Sequence, residues 1–307
     1  MGEKMLIGKK TEVERVLEME ATRKAYAKIN LGLDVTGKRD DGYHLVRMIM
    51  QNTDIYDTLT FKSNDTGEIN LSCSREGIPT DERNLICKVA LQLKEHYGVT
   101  AGADIYLEKV IPAAAGMAGG STDGAAAYYA LNELWDLGMS RDDMCRLAVK
   151  LGADIPYCIV GGTALSEGIG EILTPLKDLP DCAIVIAKPK IDVSTAWVYR
   201  ELDNSTDIVH PDIDGIRKAI EAGDIKGMCA LIDNVLEPVT TRQHAVIKDI
   251  EKILLDNGAI GAYMTGSGPT VFGIYEDDKK AQEGMEAVRK SGLAPELFLT
   301  RPINPNL

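Results

Sequence analysis

A run of small residues at positions 112–122, Pro-Ala-Ala-Ala-Gly-Met-Ala-Gly-Gly-Ser-Thr, is the segment best suited to bind a phosphate chain. Small side chains let backbone N–H groups approach an anion closely, and the first turn of a following helix adds unpaired donors. An ordinary surface turn is the alternative. The length of the run, and the strand and helix patterns on its two sides, favour phosphate binding.

This phosphate loop (residues 112–122) lacks the two common nucleotide-binding signatures. It does not end in Gly-Lys-Ser or Gly-Lys-Thr, so it has no Walker A lysine, and its glycine spacing is not that of the dinucleotide fingerprint. We therefore expect backbone amides to hold the phosphates, with any cation supplied from elsewhere in the chain.

Lys28 and Asn30 could act together on one ligand. Apolar residues alternate with other residues from Lys24 to Val35, which predicts a strand. Side chains two residues apart share a face of a strand, so the lysine and the asparagine point the same way. A solvated strand face, usual for such a pair, is the alternative.

An aromatic pair follows this strand. Asp41-Gly42 is a hairpin signal, and Tyr43 and His44 open the next strand. An exposed Tyr-His pair beside a lysine-bearing strand could stack on a ring or bond to one. On this pattern alone, an ordinary strand start is favoured.

Asp154 lies between the predicted end of a helix at Gly152 and the Ile155-Pro156 dipeptide. The proline restricts the backbone there, and a helix C-terminus disfavours a negative charge. Asp154 is therefore either a turn-forming aspartate or a functional carboxylate, and the local sequence does not decide between them.

Predicted elements on both sides position the phosphate loop. Ala103, Ile105 and Leu107 alternate with polar residues, which predicts a strand before the loop. Apolar residues at helical spacing predict a helix after it, and Ser121 or Thr122 is the expected N-cap.

The rest of the pattern mixes helices with strands. Asn84 and Gly98 bound a predicted helix, and Ser140 with Asp143 resembles the capping box of another, over 140–151. In the second half we predict helices near 194–201, 212–222, 224–233, 241–256 and 277–290, and strands near 183–188, 260–264, 270–275 and 296–300. Helices on antiparallel sheets indicate the α+β class in both halves, with a domain boundary near 165–175.

Composition and charge limit the partners. The 307 residues are 45% hydrophobic and 26% charged, and no apolar run has the length of a membrane span. The net charge of -13 argues against a nucleic-acid or anionic-membrane surface. We therefore expect a small-molecule substrate, no nucleic acid, no membrane and no obligate protein partner.

The cysteines and the N-terminus indicate a cytoplasmic protein. Six scattered cysteines form no CxxC pair and four histidines lack metal-ligand spacing, so we expect buried, reduced thiols and no zinc site. The apolar stretch Met5-Leu6-Ile7 is too short for a signal peptide. Residues 1–21 are an extension without assigned function, for which disorder and a partial helix both stay open.

Three glycine-containing blocks, taken in order, resemble the GHMP kinase superfamily of small-molecule kinases. They are Ala27-Lys28-Ile29-Asn30 with Gly42-Tyr43-His44, the phosphate loop, and Thr265-Gly266-Ser267-Gly268. With the segments 151–156 and 167–171, the chain resembles one branch from about residue 22 to the C-terminus. Members of this branch phosphorylate the 2-hydroxyl of a cytidine-diphosphate-linked methylerythritol, in the non-mevalonate route to isoprenoid precursors.

The resemblance implies a two-domain α+β GHMP kinase fold. Its N-terminal domain would be ribosomal-protein-S5-like, and its C-terminal domain would be a ferredoxin-like α/β-plait. Residues 22–168 would form the ATP-binding domain and residues 169–307 the substrate domain, after the extension of residues 1–21.

Roles for single residues also come from the resemblance. Lys28 matches the family's active-site lysine, and Asp154 matches its catalytic aspartate. The residues expected to bind the cytidine diphosphate substrate are Asn30, Tyr43, His44, Thr195 and Tyr199. Those expected to bind the ATP phosphates are Pro112, Ala113, Ala114, Ala115, Gly116, Met117, Ala118, Gly119, Gly120, Ser121 and Thr122. Many members have more glycine where this chain has three consecutive alanines.

The implied reaction is phosphoryl transfer from ATP, with Mg²⁺ accompanying the nucleotide. Asp154 would accept the proton of the substrate hydroxyl, and Lys28 would hold Asp154 ionised and steady the moving charge. Ser121 or Thr122 could contact the metal, but no protein ligand is assigned to it.

The cytosine ring would need a flat side chain to stack on and a hydrogen-bonding side chain at its edge. Tyr43 and Tyr199 are the candidates for stacking, and His44 is the candidate for bonding the base edge.

Two other functions stay open. One is a GHMP kinase for another small alcohol, of the homoserine or mevalonate type, which the Asp-Gly-Tyr-His turn beside Ala-Lys-Ile-Asn argues against. The other is a non-catalytic binding protein on the same fold, since a fold does not fix a function. The presence of both Lys28 and Asp154 argues against this second alternative.

Overall fold

The structure, a computed structural model, describes residues 19–305. Of the N-terminal extension predicted over residues 1–21, only residues 19–21 lie in this part, and the first strand already begins at Glu20. None of the helices between residues 19 and 305 is both long enough and apolar enough to cross a membrane. The six cysteines of this part are free thiols, with Cys73 and Cys145 half-buried and the others buried.

The strands and helices follow one another as the mixed pattern predicts. The strands are β1 (Glu20–Lys38), β2 (His44–Asn64), β3 (Ile69–Cys73), β4 (Gly102–Glu108), β5 (Thr163–Glu167), β6 (Ile172–Pro175), β7 (Ala183–Lys188), β8 (Gly261–Met264), β9 (Val271–Tyr275), β10 (Glu296–Thr300) and β11 (Pro302–Ile303). The helices are α1 (Leu85–Tyr97), α2 (Gly119–Leu134), α3 (Arg141–Ala148), α4 (Ile155–Val160), α5 (Thr195–Asp203), α6 (Ile213–Ala222), α7 (Ile225–Cys229), α8 (Glu237–Gln243), α9 (Val246–Asp256) and α10 (Asp278–Ser291).

The first sheet is built around the long strand β2. Within residues 19–305 it has seven strands, and β2 pairs with β1, β4, β5 and β11, all antiparallel. The hairpin predicted from Asp41-Gly42 joins β1 to β2 and closes with Lys38 opposite His44. This hairpin carries Lys28 and His44 on neighbouring strands of one sheet.

The second sheet has the ferredoxin-like topology that the resemblance implies. Its four strands in the described chain are ordered β10-β7-β9-β8 and are all antiparallel. Helix α9 precedes β8, and helix α10 connects β9 to β10, which gives the βαββαβ order. The two-domain α+β fold predicted from the sequence is confirmed.

The boundary between the two sheets lies later in the chain than the domain limit predicted between residues 168 and 169. That limit falls between β5 and β6, which pair with each other from Glu167 opposite Ile172. The division therefore lies between Pro175 and Ala183. The chain also returns to the first sheet at its end, because β11 pairs with β2.

Strand β1 is buried on both faces in its central part. Its apolar face, with Ala27, Ile29 and Leu31, belongs to the same hydrophobic cluster as Ile184 and Phe272 of the second sheet. Lys28 and Asn30 are 4% and 3% exposed. The alternative of a solvated polar face on this strand is therefore wrong.

The observed helix ends agree with the predicted ones where the capping residue is a sequence neighbour of the helix. Asn84 caps α1 through its side chain, Gly98 ends α1 in the left-handed region, and Ser140 and Asp143 form the predicted capping box. The helix predicted over 241–256 is interrupted at 244–245, because α8 ends at Gln243 and α9 begins at Val246.

Candidate active site

A cleft with a volume of about 1100 Å³ brings together most of the predicted site residues. The phosphate loop and the start of α2 form one wall, with β1, the β1–β2 hairpin, the bend before α4 and helix α5 around them. The predicted residues lining the cleft are Lys28, Asn30, Tyr43, His44, Pro112, Ala113, Ala114, Ala115, Gly116, Ala118, Gly119, Gly120, Ser121, Asp154, Thr195 and Tyr199.

Two predicted phosphate-loop residues do not line the cleft. Met117 is 1% exposed and packs in the hydrophobic cluster of the second sheet, while its carbonyl accepts from the backbone N–H of Lys28 at 3.2 Å. Thr122 is buried, and its Oγ1 donates to the carbonyl of Tyr26 at 2.8 Å. Both residues fix the loop against β1 from behind.

The phosphate loop enters helix α2 earlier than the sequence indicates. The helix begins at Gly119 after Ala118, which has a φ of +57° and no capping side chain, so the predicted N-cap at Ser121 or Thr122 is wrong. The first-turn residues Gly119, Gly120 and Ser121 line the cleft. Their free N–H groups and the positive end of the helix dipole are therefore available to an anion.

Two alanines of the phosphate loop adopt left-handed backbone conformations, Ala114 with a φ of +49° and Ala118 with a φ of +57°. This region costs a residue with a Cβ roughly 1–2 kcal/mol. Strain of this kind persists only where surrounding contacts hold the backbone, and it clusters at functional sites. The alanines at these two positions therefore keep the loop shape at an energetic cost.

Hydrogen bonds of Lys28, Asn30 and Thr265 connect the three glycine-containing blocks. Its Nζ donates to Oδ1 of Asn30 at 2.7 Å and to the carbonyl of Gly116 at 2.9 Å. Thr265 Oγ1 accepts from the backbone N–H of Asn30 at 3.0 Å and lies 3.4 Å from Gly116 O. Burial lowers the pKa of Lys28, and the negative charge of Asp154 opposes this shift.

Gly116 holds the phosphate loop directly against the third block. Its φ is +68°, and a Cβ there would lie 2.3 Å from the carbonyl oxygen of Thr265. No side chain fits at that distance, so one of the two loops would have to move.

Gly116→Ala is expected to weaken ATP binding by about tenfold or more, because the displaced loop no longer presents its amides at the right spacing. Calorimetric titration with a non-hydrolysable ATP analogue measures this. Gly138→Ala is the control, since its φ is also positive but nothing lies within 4 Å of the added Cβ. Equal losses in both variants would mean that backbone strain, and not the contact with Thr265, is responsible.

Lys109 is a buried cation directly before the phosphate loop, and the sequence analysis missed it. It lines the cleft beside the start of α2, with Nζ 2.5 Å from Asp57 Oδ2 and 2.6 Å from Asp123 Oδ2. Burial alone would lower the pKa of Lys109, but the two carboxylates outweigh it and raise the pKa. Its position directly before the phosphate loop was the only available sequence signal.

The two carboxylates around Lys109 have different surroundings. Asp57 Oδ1 also accepts from the backbone N–H groups of Val110 and Ile111 at 2.6 and 2.8 Å. Asp123 Oδ1 is buried and has no partner. Burial raises the pKa of Asp123 well above its usual range, and Lys109 offsets this only in part.

Asp154 lies at the start of a helix and not at the end of one. It is the half-buried residue directly before α4, and its carbonyl accepts the first helical bond, from Cys158 N. The sequence analysis predicted a helix dipole that disfavours the negative charge of Asp154. This prediction is wrong, because the N-terminal end of a helix favours a negative charge. The carboxylate lines the cleft that Lys28 also lines, so an acid and a cation meet in one water-accessible space.

Aromatic and polar side chains form one end of the cleft. The rings of His44 and Tyr199 lie 4.7 Å apart with an interplanar angle of 34°, while Tyr43 remains 57% exposed. Thr195 Oγ1 is 2.8 Å from Ser267 Oγ, which ties α5 to the third block. The sequence analysis missed Asp203 at this end, whose carboxylate accepts from His44.

A second group of cleft-lining residues was also missed. It is formed by the segment before α1 and the start of that helix, and its lining residues are Ile78, Pro79, Arg83, Asn84 and Leu85. Only Asn84 was noticed in the sequence, as a helix cap. The apolar side chains Ile78, Pro79 and Leu85 of this group suit a nucleotide base.

A buried carboxylate pair supports the third block from behind. Glu237 Oε2 accepts from the backbone N–H of Met264 at 2.9 Å, and Lys248 pairs with both Glu237 and Glu251. Glu251 Oε1 is buried without a partner. Burial, with a contribution from the charge of Glu237, raises the pKa of Glu251 to about 7.

The wild type is expected to lose folding stability as the pH rises from 5 to 8. Glu251→Gln is expected to make this loss smaller. The pKa of Glu251 is about 7 in the folded chain and 4.5 ordinarily, so between these pH values the folded chain binds more protons than the unfolded chain. This stabilisation is full below about pH 4.5 and is lost as the pH rises through about 7. Melting temperatures at pH 5 and pH 8 measure the slope, with the exposed Glu283→Gln as control. Identical slopes in wild type and Glu251→Gln would contradict the shift.

Comparison with known proteins agrees with this geometry. The family model of the GHMP kinase N-terminal domain matches residues 84–162, and that of the GHMP kinase C-terminal domain matches residues 216–293. The class is thus that of the GHMP kinases, which are ATP-dependent phosphotransferases, so ATP is the phosphoryl donor.

Individual relatives narrow the class. A protein of Lachnoclostridium phytofermentans named 4-diphosphocytidyl-2-C-methyl-D-erythritol kinase is 47% identical over 278 residues, which cover 91% of this chain and 96% of that protein. The crystal structure of a 4-(cytidine 5'-diphospho)-2C-methyl-D-erythritol kinase matches with a TM-score of 0.78 at 30% identity, over 93% of this chain and 100% of that chain. The chain belongs to the 4-diphosphocytidyl-2-C-methyl-D-erythritol kinase family.

A more distant likeness concerns the fold alone. The homoserine kinase of Cytophaga hutchinsonii matches with a TM-score of 0.74 at 20% identity, over 93% of this chain and 95% of that chain. The alternative of a homoserine-type or mevalonate-type kinase is therefore not favoured.

Proposed function

We propose that this chain transfers the γ-phosphoryl group of ATP to the 2-hydroxyl of 4-diphosphocytidyl-2-C-methyl-D-erythritol. One observation carries the proposal: a single cleft is lined by the phosphate loop, Lys28, Asp154, the aromatic side chains Tyr43, His44 and Tyr199, and the apolar side chains Ile78, Pro79 and Leu85. A kinase whose acceptor is itself a nucleotide derivative needs surfaces for two bases, and the aromatic and the apolar side chains can supply them. The sequence identity to enzymes named for this reaction supports the choice of acceptor.

The bond changes can be assigned to residues of this chain. The substrate hydroxyl oxygen attacks the γ-phosphorus, the bond to the bridging β–γ oxygen breaks, and the hydroxyl proton passes to the Asp154 carboxylate. Loop amides and Lys109 hold the triphosphate, and Lys28 stabilises negative charge on the phosphoryl group in transit. Lys28 is bonded to Asn30 and Gly116, so it acts on Asp154 through charge across the cleft.

Mg²⁺ fits this cleft as a companion of ATP. Among residues 19–305 no group of three or more His, Cys, Asp or Glu side chains could hold a metal ion. Mg²⁺ commonly keeps several waters and binds through phosphate oxygens, so such a group is not required. Ser121 lines the cleft and is the hydroxyl that would contact the ion, whereas Thr122 bonds to Tyr26 instead. When bound, the ion would neutralise charge on the β- and γ-phosphates.

The acceptor is bound at the aromatic end. Tyr43 and Tyr199 would stack on cytosine and His44 would bond its edge, while Asn30 and Thr195 would contact the diphosphate and the sugar alcohol. Stacking of a base on an aromatic side chain contributes roughly 1–3 kcal/mol. This contribution would distinguish the cytidine derivative from a bare alcohol.

Turnover of a panel of alcohols with ATP tests the proposal. The panel contains the cytidine diphosphate substrate, homoserine and mevalonate, and ADP release is measured by a coupled assay. We expect turnover of the cytidine derivative alone. Turnover of homoserine or mevalonate at a comparable kcat/KM would contradict the substrate, and no turnover of any alcohol would contradict catalysis.

A further inference from the structure

Asp203 joins the two halves of the chain at the aromatic end of the cleft. It is the last residue of α5, its Oδ1 accepts from His44 Nε2 at 2.7 Å, and its Oδ2 accepts from Lys38 at 2.6 Å. Asp203, His44 and Lys38 all line the cleft. Nothing in the sequence around Asp203 distinguishes it from an ordinary solvated aspartate.

The contact with Asp203 fixes which nitrogen of His44 carries the proton. A carboxylate accepts hydrogen bonds and donates none, so Nε2 must be protonated. In the neutral ring the other nitrogen, Nδ1, is then an acceptor. The His44 side chain is 14% exposed, so the ring is available to a ligand at the cleft wall.

Two neighbours keep this arrangement in place. The Tyr199 ring packs at 4.7 Å from that of His44 and restricts its rotation. Lys38 occupies the second oxygen of Asp203, which leaves Oδ1 for the histidine. The hydrogen bond from Lys38, with a further one from His44, lowers the pKa of Asp203, so the carboxylate stays ionised near neutral pH.

The unprotonated nitrogen Nδ1 of His44 can distinguish cytosine from uracil. At the 4-position cytosine carries an amino group, which donates, whereas a uracil-type base carries an oxygen, which accepts. An acceptor at Nδ1 bonds the amino group and leaves the oxygen unpaired. Resting on the function proposed above, we infer that Asp203 is a positioning residue that makes this site select a cytosine-bearing diphosphate over a uracil-bearing one.

Asp203→Asn tests the inference sharply. Lys38 needs an acceptor, so the amide oxygen turns towards Lys38 and the amide nitrogen turns towards His44. Nε2 must then accept, and the proton moves to Nδ1. We expect the preference for cytidine diphosphate over uridine diphosphate to fall at least about tenfold, with KM for the substrate raised and kcat little changed.

Two measurements read the effect, both at pH 8, where an ordinary imidazole is neutral. Calorimetry gives the affinities for cytidine diphosphate and uridine diphosphate, and ¹⁵N NMR of histidine-labelled protein gives the tautomer of each ring. His44→Gln assigns the signal of His44 among the four histidines. Asp207→Asn is the matched control, an exposed aspartate four residues after Asp203 that does not line the cleft.

The outcomes separate this inference from the proposed function. If Asp203→Asn keeps both the wild-type base preference and the Nε2–H signal, the inference is wrong. If the wild type phosphorylates the cytidine substrate but binds both diphosphates equally, the inference also fails while the proposed function stands. If the wild type phosphorylates no alcohol, the proposed function fails first. Unchanged melting temperatures establish that the variant is folded.

Discussion

Asp154→Asn is expected to lower kcat at least about a hundredfold while leaving the affinity for the ATP analogue within a few-fold of wild type. Asparagine keeps the size of the side chain but cannot take up the proton of the substrate hydroxyl. The residue is half-buried, and its backbone carbonyl, which starts α4, is unaffected by the change. Steady-state kinetics with ATP and the cytidine substrate, with calorimetry for the ATP analogue, measure both quantities.

The control for Asp154→Asn is Asp65→Asn, an exposed aspartate in the turn after β2. It loses the same charge far from the cleft, so its kcat should equal that of the wild type. Equal kcat in Asp154→Asn and wild type would remove Asp154 from proton transfer. A matching loss of melting temperature would instead indicate that the carboxylate serves the fold.

The position of Asp154 also illustrates what a sequence pattern can and cannot predict. The segment Gly152–Pro156 indicated a backbone restricted by Pro156, and in the structure Pro156 lies in the first turn of α4. The segment did not indicate that a short helix starts at Ile155, because proline is compatible both with the first turn of a helix and with a break. Asp154 lines the cleft, its catalytic role stays a prediction, and the helix-dipole effect predicted for it was wrong.

Local signals predicted local features well. The Asn84 cap, the Ser140 capping box and the hairpin at Asp41-Gly42 depend on neighbouring residues, and each is observed. The phosphate loop was predicted from the same kind of signal, since its composition and its flanks lie within a few residues, and most of its residues line the cleft. Its early helix start was missed because Ala118 adopts a conformation that alanine rarely takes.

The cation and its partners were missed because they come from distant parts of the chain. Lys109 is 52 residues from Asp57 and 14 from Asp123, and only the fold brings them within 2.6 Å. The same holds for Asp203, which is 159 residues from His44. A single sequence carries no periodicity or motif that joins such positions.

Burial of both faces of β1 explains how the three blocks become one site. The apolar face packs against the second sheet, and Lys28 and Asn30 on the other face are buried as well. Lys28 and Asn30 must then find partners inside the protein, since an unpaired buried polar group costs about 1–3 kcal/mol. The Gly116 carbonyl and Thr265 provide them. The bonds that satisfy this face are the same bonds that hold the phosphate loop against the third block.

Lys28→Met is accordingly expected to lower kcat by about 10² to 10³-fold, the loss typical of removing one preorganised donor from a transition-state site. Methionine fills a similar volume, so the packing around β1 is kept. Gly116 O and Asn30 Oδ1 lose their strongest donor, and Thr265 Oγ1 at 3.4 Å from each replaces it poorly. We therefore also expect a fall in melting temperature and weaker binding of the ATP analogue.

Lys24→Met is the matched control, because Lys24 lies four residues earlier on β1 with its Nζ over the Tyr56 ring and outside the cleft. Its kcat should stay within about twofold of wild type, since the contact it loses is an exposed cation–π pair. If Lys28→Met lowers stability and nucleotide affinity but leaves kcat at saturating substrate unchanged, the lysine organises the loops without acting on the transferred phosphoryl group. A loss in kcat beyond the loss in affinity places the ammonium charge at the transition state, because only interactions stronger there than in the bound ground state change kcat.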